Sequence, residues 1–100
     1  MTLKVTKENF KQEVINADKP VLVDFYATWC GPCKMLSPVI EQISSERSDV
    51  KVVKIDVDEQ VELARQFGIM SIPTIMVIKD GKVASTTLGF KSKEAILAML

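Results

Sequence analysis

The run Val21-Leu22-Val23-Asp24-Phe25-Tyr26 constrains the fold more than any other part of this chain. Successive side chains on a strand point to opposite faces. Here both faces are apolar, and a single acid interrupts them. That pattern belongs to a central strand with helices packed on each side.

The rest of the sequence alternates as such a strand requires. Leu3-Lys4-Val5 predicts a short first strand, and Thr6 reads as an N-cap. Phe10, Val14 and Ile15 then recur at helical spacing, and Asp18-Lys19-Pro20 ends that helix. Beyond the central strand, Met35, Leu36, Val39, Ile40 and Ile43 make a long helical stripe. Pro38 falls inside it, removes a backbone donor and should kink the helix. Residues 50–57 predict the next strand. Val61, Leu63, Ala64 and Phe67 line a helix that Gly68 ends. Two β-prone runs, 74–78 and 82–88, flank Asp80-Gly81, the strongest short hairpin signal. Ser92 opens a last helix carrying Ala95, Ile96 and Leu97. The order β-α-β-α-β-α-β-β-α reads as α/β, with helices sandwiching a mixed sheet.

One hundred residues leave room for one domain, expected over residues 1–100. Thirteen basic and thirteen acidic residues give no net charge, which argues against nucleic acid or an anionic membrane as the main partner. No apolar run approaches the ~20 residues that span a bilayer. The charged opening Met1-Thr2-Leu3-Lys4-Val5-Thr6-Lys7-Glu8 has no apolar core, so no signal peptide is read. The expected compartment is therefore the reducing cytoplasm, where a lasting structural disulfide is unusual.

The only two cysteines stand in Cys30-Gly31-Pro32-Cys33, between the central strand and the long helix. Thiols at that spacing close a disulfide across one helical turn and reopen it, the chemistry of dithiol–disulfide exchange. As a structural staple the pair closes a four-residue loop, worth only ~2 kcal/mol in the chain-entropy model. A zinc site needs about four ligands, and the chain has two cysteines and no histidine. No metal or bound cofactor is called for. Cys30 falls at a helix N-terminus, where free N–H groups and the macrodipole favour an anion, so its thiolate is the expected nucleophile. Cys33, one turn inside, is expected to be less exposed and to resolve the mixed disulfide. Gly31 allows a tight turn, and Pro32 fits the first helical turn.

Asp24 is the second informative residue. A buried carboxylate without a partner costs several kcal/mol. It reads either as a buried general base that takes the proton of Cys33, through water, or as an ordinary polar residue at a strand end. The lysines Lys79, Lys82, Lys91 and Lys93 read as a solvated face.

Trp29-Cys30-Gly31-Pro32-Cys33-Lys34 resembles the active-site signature of the thioredoxin family. The resemblance covers nearly the whole chain: Val23-Asp24-Phe25 is similar to the strand entering the site, residues 54–58 to the third strand, residues 67–74 to the loop facing the cysteines, and Gly89 to the loop after the last strand. Tyr26 stands where many members carry a second tryptophan, and Ser71 where others often carry glycine. The resemblance implies a five-stranded sheet ordered 1-3-2-4-5 with four flanking helices. It implies a monomeric, general reductase of protein disulfides, itself reduced by a flavin-dependent reductase that uses NADPH. It implies that Lys54 lies beside Asp24 and tunes it, and that the Ile72–Pro73 bond is cis and opposite the cysteines. Trp29, Gly31, Pro32, Ile72, Pro73 and Gly89 are then expected to form a flat apolar docking surface, with the backbone of residues 70–72 open to an extended substrate strand. A disulfide isomerase or oxidase on the same fold is the rival enzyme, although by resemblance Gly-Pro between the cysteines points to a reductant. A non-catalytic binding module using the same face is the rival from another class.

Overall fold

The computed structural model describes residues 2–100; Met1, the first residue of the expected domain, lies outside them. The central strand is where the apolar run places it. β2 (Val21–Tyr26) pairs in parallel with β3 (Lys51–Asp56) on one side and antiparallel with β4 (Thr74–Lys79) on the other. β1 (Leu3–Lys4) extends the parallel edge, and β5 (Lys82–Leu88) closes the antiparallel one, giving the order β1-β3-β2-β4-β5. The fold is thus the α/β sandwich with a five-stranded mixed sheet that the sequence implied.

Each face of β2 feeds its own core. Val21, Val23 and Phe25 pack with Phe10, Val14, Leu63 and Ile78 on one face. Leu22 packs with Leu36, Ile40, Ile43, Ile75 and Ile96 on the other. Helix α1 (Gly31–Glu46) and helix α3 (Lys93–Leu97) cover that second face; α2 (Val61–Gln66) lies on the first. By alternation Asp24 continues the row of Leu22, so its side chain points under the start of α1 rather than to solvent.

Several local expectations are met. Ser92 caps α3, its hydroxyl accepting from the Ala95 N–H at 3.1 Å. Asp80 and Gly81 have φ of 52° and 76°, the two positive angles that a type I′ hairpin turn needs.

Others are corrected. The first helix is a single π turn, Lys11–Ile15, closed by Asn16 N–H to the Lys11 carbonyl at 2.9 Å. Thr6 does not cap it. Instead Asn9 Oδ1 accepts the Thr6 N–H at 2.8 Å, which folds the chain back before the π turn begins. Met35 and Val61 are exposed. The buried stripe of α1 is Cys33, Leu36, Ile40 and Ile43, spaced by three and four; Met35 lies about 100° away from Leu36 around the helix. α1 runs on through Pro38, which sits on its exposed side.

Candidate active site

α1 begins inside the cysteine motif. Cys30 is its N-cap residue, with extended backbone angles (φ −87°, ψ 116°), and Gly31 and Pro32 open the first turn. The Cys33 N–H donates to Cys30 Sγ at 3.2 Å. The sulfur therefore occupies the position of an N-cap oxygen, directly on one of the donors the helix leaves free. Cys30 and Cys33 are joined as a disulfide, their Cα atoms 5.2 Å apart. The expected contrast in exposure is absent: Cys30 is 5% and Cys33 4% exposed. What separates the two sulfurs is the helix start, whose Cys33 N–H points at Cys30 Sγ.

Ala27, Tyr26, Val57 and Ile72 pack around the pair. Ile72 belongs to the loop that faces it, and Cys30 Sγ lies 3.9 Å from the Ile72 carbonyl oxygen. The Ile72–Pro73 peptide is cis. Pro73 is buried rather than part of the surface; its carbonyl accepts the Gly89 N–H at 2.8 Å. Thr74 is buried too, and its hydroxyl donates to the Ser71 carbonyl at 2.7 Å. Gly89 has φ of 82°, open to glycine and costly for other residues. Gly31 and Pro32 are exposed, and Ile72 is half-buried.

Trp29 is 69% exposed, so its ring belongs to the surface and not to the core. Its indole N–H donates to Asp58 Oδ2 at 2.7 Å. Asp58 is itself held by a turn in which Asp56 Oδ1 accepts the N–H groups of Asp58 and Glu59 at 2.9 and 3.2 Å. Sequence reasoning gave Asp58 no such part; an Asp-x-Asp leaving a strand was the available signal. Trp29, Val57, Met70 and Ile72 line a pocket of about 190 Å³ beside the disulfide. Met70 is 97% exposed; the resemblance pointed to its backbone but not to its side chain.

Asp24 lies on the inner side of the same site. It is 5% exposed, and its Oδ1 has no hydrogen-bond partner among the described protein atoms. Asp24, Tyr26, Cys33, Ser37 and Lys54 share a pocket of about 200 Å³. Burial pushes the Asp24 carboxyl up to about 7, against the opposing pull of the Lys54 ammonium. Strand pairing sets Lys54 directly opposite Asp24. Lys54 is half-buried, its Nζ 5.8 Å from the centroid of the Tyr26 ring. Asp24 lies inside β2 and is buried, so it is not an ordinary polar residue at a strand end. Lys79 and Lys82 are exposed, as a solvated face requires, whereas Lys91 and Lys93 are half-buried and Lys93 pairs with Glu46.

Among the described residues no cluster of three or more His, Cys, Asp or Glu side chains suits a metal ion. No described helix is long and apolar enough to cross a membrane.

The sequence model of the Thioredoxin family matches residues 1–100. The chain is 51% identical over 100 residues to a thioredoxin of Mycobacterium tuberculosis, covering 99% of this chain and 86% of that one. It is 52% identical over 95 residues to a thioredoxin of Bacillus subtilis, covering 94% and 89%. It is also 48% identical over 98 residues to a bifunctional thioredoxin reductase/thioredoxin of Mycobacterium leprae, covering 97% of this chain and 21% of that one. The chain belongs to the thioredoxin family. It is a protein-disulfide oxidoreductase that reduces disulfides by thiol–disulfide exchange through the Cys30–Cys33 pair.

Proposed function

We propose that this chain is a general, monomeric reductase of protein disulfides in the cytoplasm. It carries electrons from a flavin- and NADPH-dependent thioredoxin reductase to disulfide-bearing polypeptides. The observation that carries the reading is Cys30 Sγ on the Cys33 N–H at the start of α1, with Cys33 sharing a pocket with buried Asp24.

The roles follow from that arrangement. In the reduced protein the Cys30 thiolate is stabilised by the helix end and attacks one sulfur of the substrate disulfide. The substrate S–S bond breaks, one substrate thiolate leaves, and a mixed disulfide to Cys30 remains. Asp24, as carboxylate, takes the Cys33 proton, through water. The Cys33 thiolate then attacks Cys30 Sγ, the second substrate thiolate leaves, and the Cys30–Cys33 disulfide forms. Two electrons have passed from the protein to the substrate. Lys54 tunes Asp24 across the strand pair. Trp29, Gly31, Pro32, Ile72 and Gly89 meet the substrate, while buried Pro73 holds the loop that presents Ile72. The fusion of a thioredoxin to a thioredoxin reductase in the Mycobacterium leprae relative supports such a reductase as the electron donor.

Alkylation and trapping test the roles. Iodoacetamide at neutral pH is expected to label Cys30 of the reduced protein well before Cys33. Cys33→Ser should accumulate a mixed disulfide with reduced turnover of insulin, and Cys30→Ser should not. Equal labelling of both thiols, or trapping by Cys30→Ser, refutes the assignment.

A further inference from the structure

The sheet sets Lys54 opposite Asp24, yet strand register fixes only the root of a lysine. Its ammonium travels on a flexible four-carbon stem, and where it comes to rest decides how strongly it acts on the carboxyl. Among the described residues Lys54 makes no ion pair. Lys4 stands opposite it on the other side, in β1, but the Lys4 ammonium is held by Glu59 at 2.8 Å. What the Lys54 ammonium does meet is Tyr26. Its Nζ lies 5.8 Å from the ring centroid, inside the roughly 6 Å within which a ring face attracts a cation.

Tyr26 is well placed to hold that charge. It stands two residues beyond Asp24 on β2, so both side chains leave the same face of the sheet. The ring is half-buried and packs against Ala27, Cys30 and Cys33, which fixes it against the reacting pair. With Lys54 it lines the pocket that holds Asp24 and Cys33. Burial raises the phenol above its ordinary value, so at neutral pH the ring is uncharged and acts on Lys54 through its π face. The other charged and titratable groups around this cluster are Cys33 and Lys34 from α1, Lys4 from β1, and Asp56 and Glu59 at and beyond the end of β3. Opposite Asp24 on β4 is Ile75, which is apolar. We propose that Tyr26 is a positioning residue for the resolving step: the face of its ring holds the Lys54 ammonium at the pocket shared by Asp24 and Cys33, and so sets how readily Asp24 becomes the carboxylate that takes the Cys33 proton. The inference rests on the reading of Asp24 as base and Lys54 as its tuner, and adds the group that places the tuning charge. Tyr26 exchanges no proton or electron; it acts through Lys54.

The test compares wild type with Tyr26→Leu, which removes the ring, and Tyr26→Phe, which keeps it. In wild type the ε-methylene protons of Lys54 should resonate upfield of their usual position, as protons over an aromatic face do. Tyr26→Leu should abolish that shift and Tyr26→Phe should keep it. Followed by carboxyl carbon NMR, the Asp24 midpoint should rise in Tyr26→Leu, by no more than it rises in Lys54→Met, and stay near about 7 in Tyr26→Phe. A rise of about half a pH unit would halve the carboxylate present at pH 7. Release of the second thiolate of an aromatic disulfide, in a single turnover, reads the resolving step. It should slow about twofold in Tyr26→Leu at pH 7 and not at all near pH 9, where Asp24 is ionised in every variant. In the Lys54→Met background Tyr26→Leu should raise the midpoint no further, a result that general loosening of the site does not give. Absence of the upfield shift in wild type overturns the proposal, even if Tyr26→Leu fails to fold. So does an Asp24 midpoint that Lys54→Met moves and Tyr26→Leu does not, or an equal rise from Tyr26→Leu with and without Lys54. If Lys54→Met itself leaves the midpoint unmoved, the tuning of Asp24 by Lys54 is overturned, and the role of Tyr26 with it.

Discussion

Neutralising Asp24 should make the protein more stable, and the gain should depend on pH in a defined way. In the unfolded chain the carboxyl titrates near its ordinary 3.8; in the fold, burial pushes it up to about 7. The folded state therefore prefers the protonated acid. Its stability is full below 3.8, falls as pH rises, and levels out once about 7 is passed. The span is roughly three pH units, each worth about 1.4 kcal/mol, so the ionised form costs the fold on the order of 4 kcal/mol. Lys54 has already reduced that cost, since its attraction is included in the shift. Asp24→Asn keeps the side-chain size and removes the ionisation. Wild type and variant, both as the disulfide form, are to be unfolded in urea at several pH values between 4 and 8.5. Differencing the two cancels the other titrating groups. The variant's advantage should be small near pH 4, grow through pH 5 and 6, and reach a plateau of up to about 4 kcal/mol above pH 7. The same variant should slow the resolving step. Parallel stability curves across the whole range would mean that Asp24 is solvated in the fold, and would remove the basis for using it as a base.

Lys54→Met deletes the charge that pulls the Asp24 carboxyl down, so the Asp24 midpoint, followed by carboxyl carbon NMR, should rise above about 7; an unmoved midpoint would refute the coupling. Leu36→Ala empties a fully buried site where α1 meets the sheet, and should cost roughly 2–5 kcal/mol in chemical unfolding. Gly81→Ala should destabilise the hairpin, because φ is 76° and the new Cβ would meet Ile15 Cγ2 at 3.3 Å; a gain in thermal stability would contradict this. Ser92→Ala removes the α3 cap and should cost about 1 kcal/mol.

Where the sequence was legible, a local rule and the global fold demanded the same residue. The two-faced apolar run of β2 has only one place to go in a chain this short. Asp80-Gly81 satisfies a turn that few other pairs can, and Ser92 meets a helix start that needs an acceptor. The π turn was not legible, because what distinguishes it is a backbone hydrogen bond from Asn16 N–H to the Lys11 carbonyl, five residues back, and that leaves no trace in hydrophobic spacing. Met35 and Val61 were misplaced for a related reason: an apolar side chain counts toward a stripe by identity, while burial depends on about 100° of helical phase.

The site divides along the same line. Asp24 stood out because a lone acid is costly in a strand whose two faces are otherwise apolar. The cysteine pair stood out through its spacing. The proposed substrate face did not, because its shape comes from contacts far apart in sequence. Trp29 is aimed by Asp58, and Gly89 is tied to Pro73, each across a span that no periodicity connects. Met70 makes the point most sharply. The resemblance pointed only to its backbone, yet its side chain is 97% exposed and lines two apolar pockets. The electron-carrying sulfurs are thus written in local sequence, whereas the proposed docking face is written in how Trp29, the loop before Pro73 and Gly89 come together.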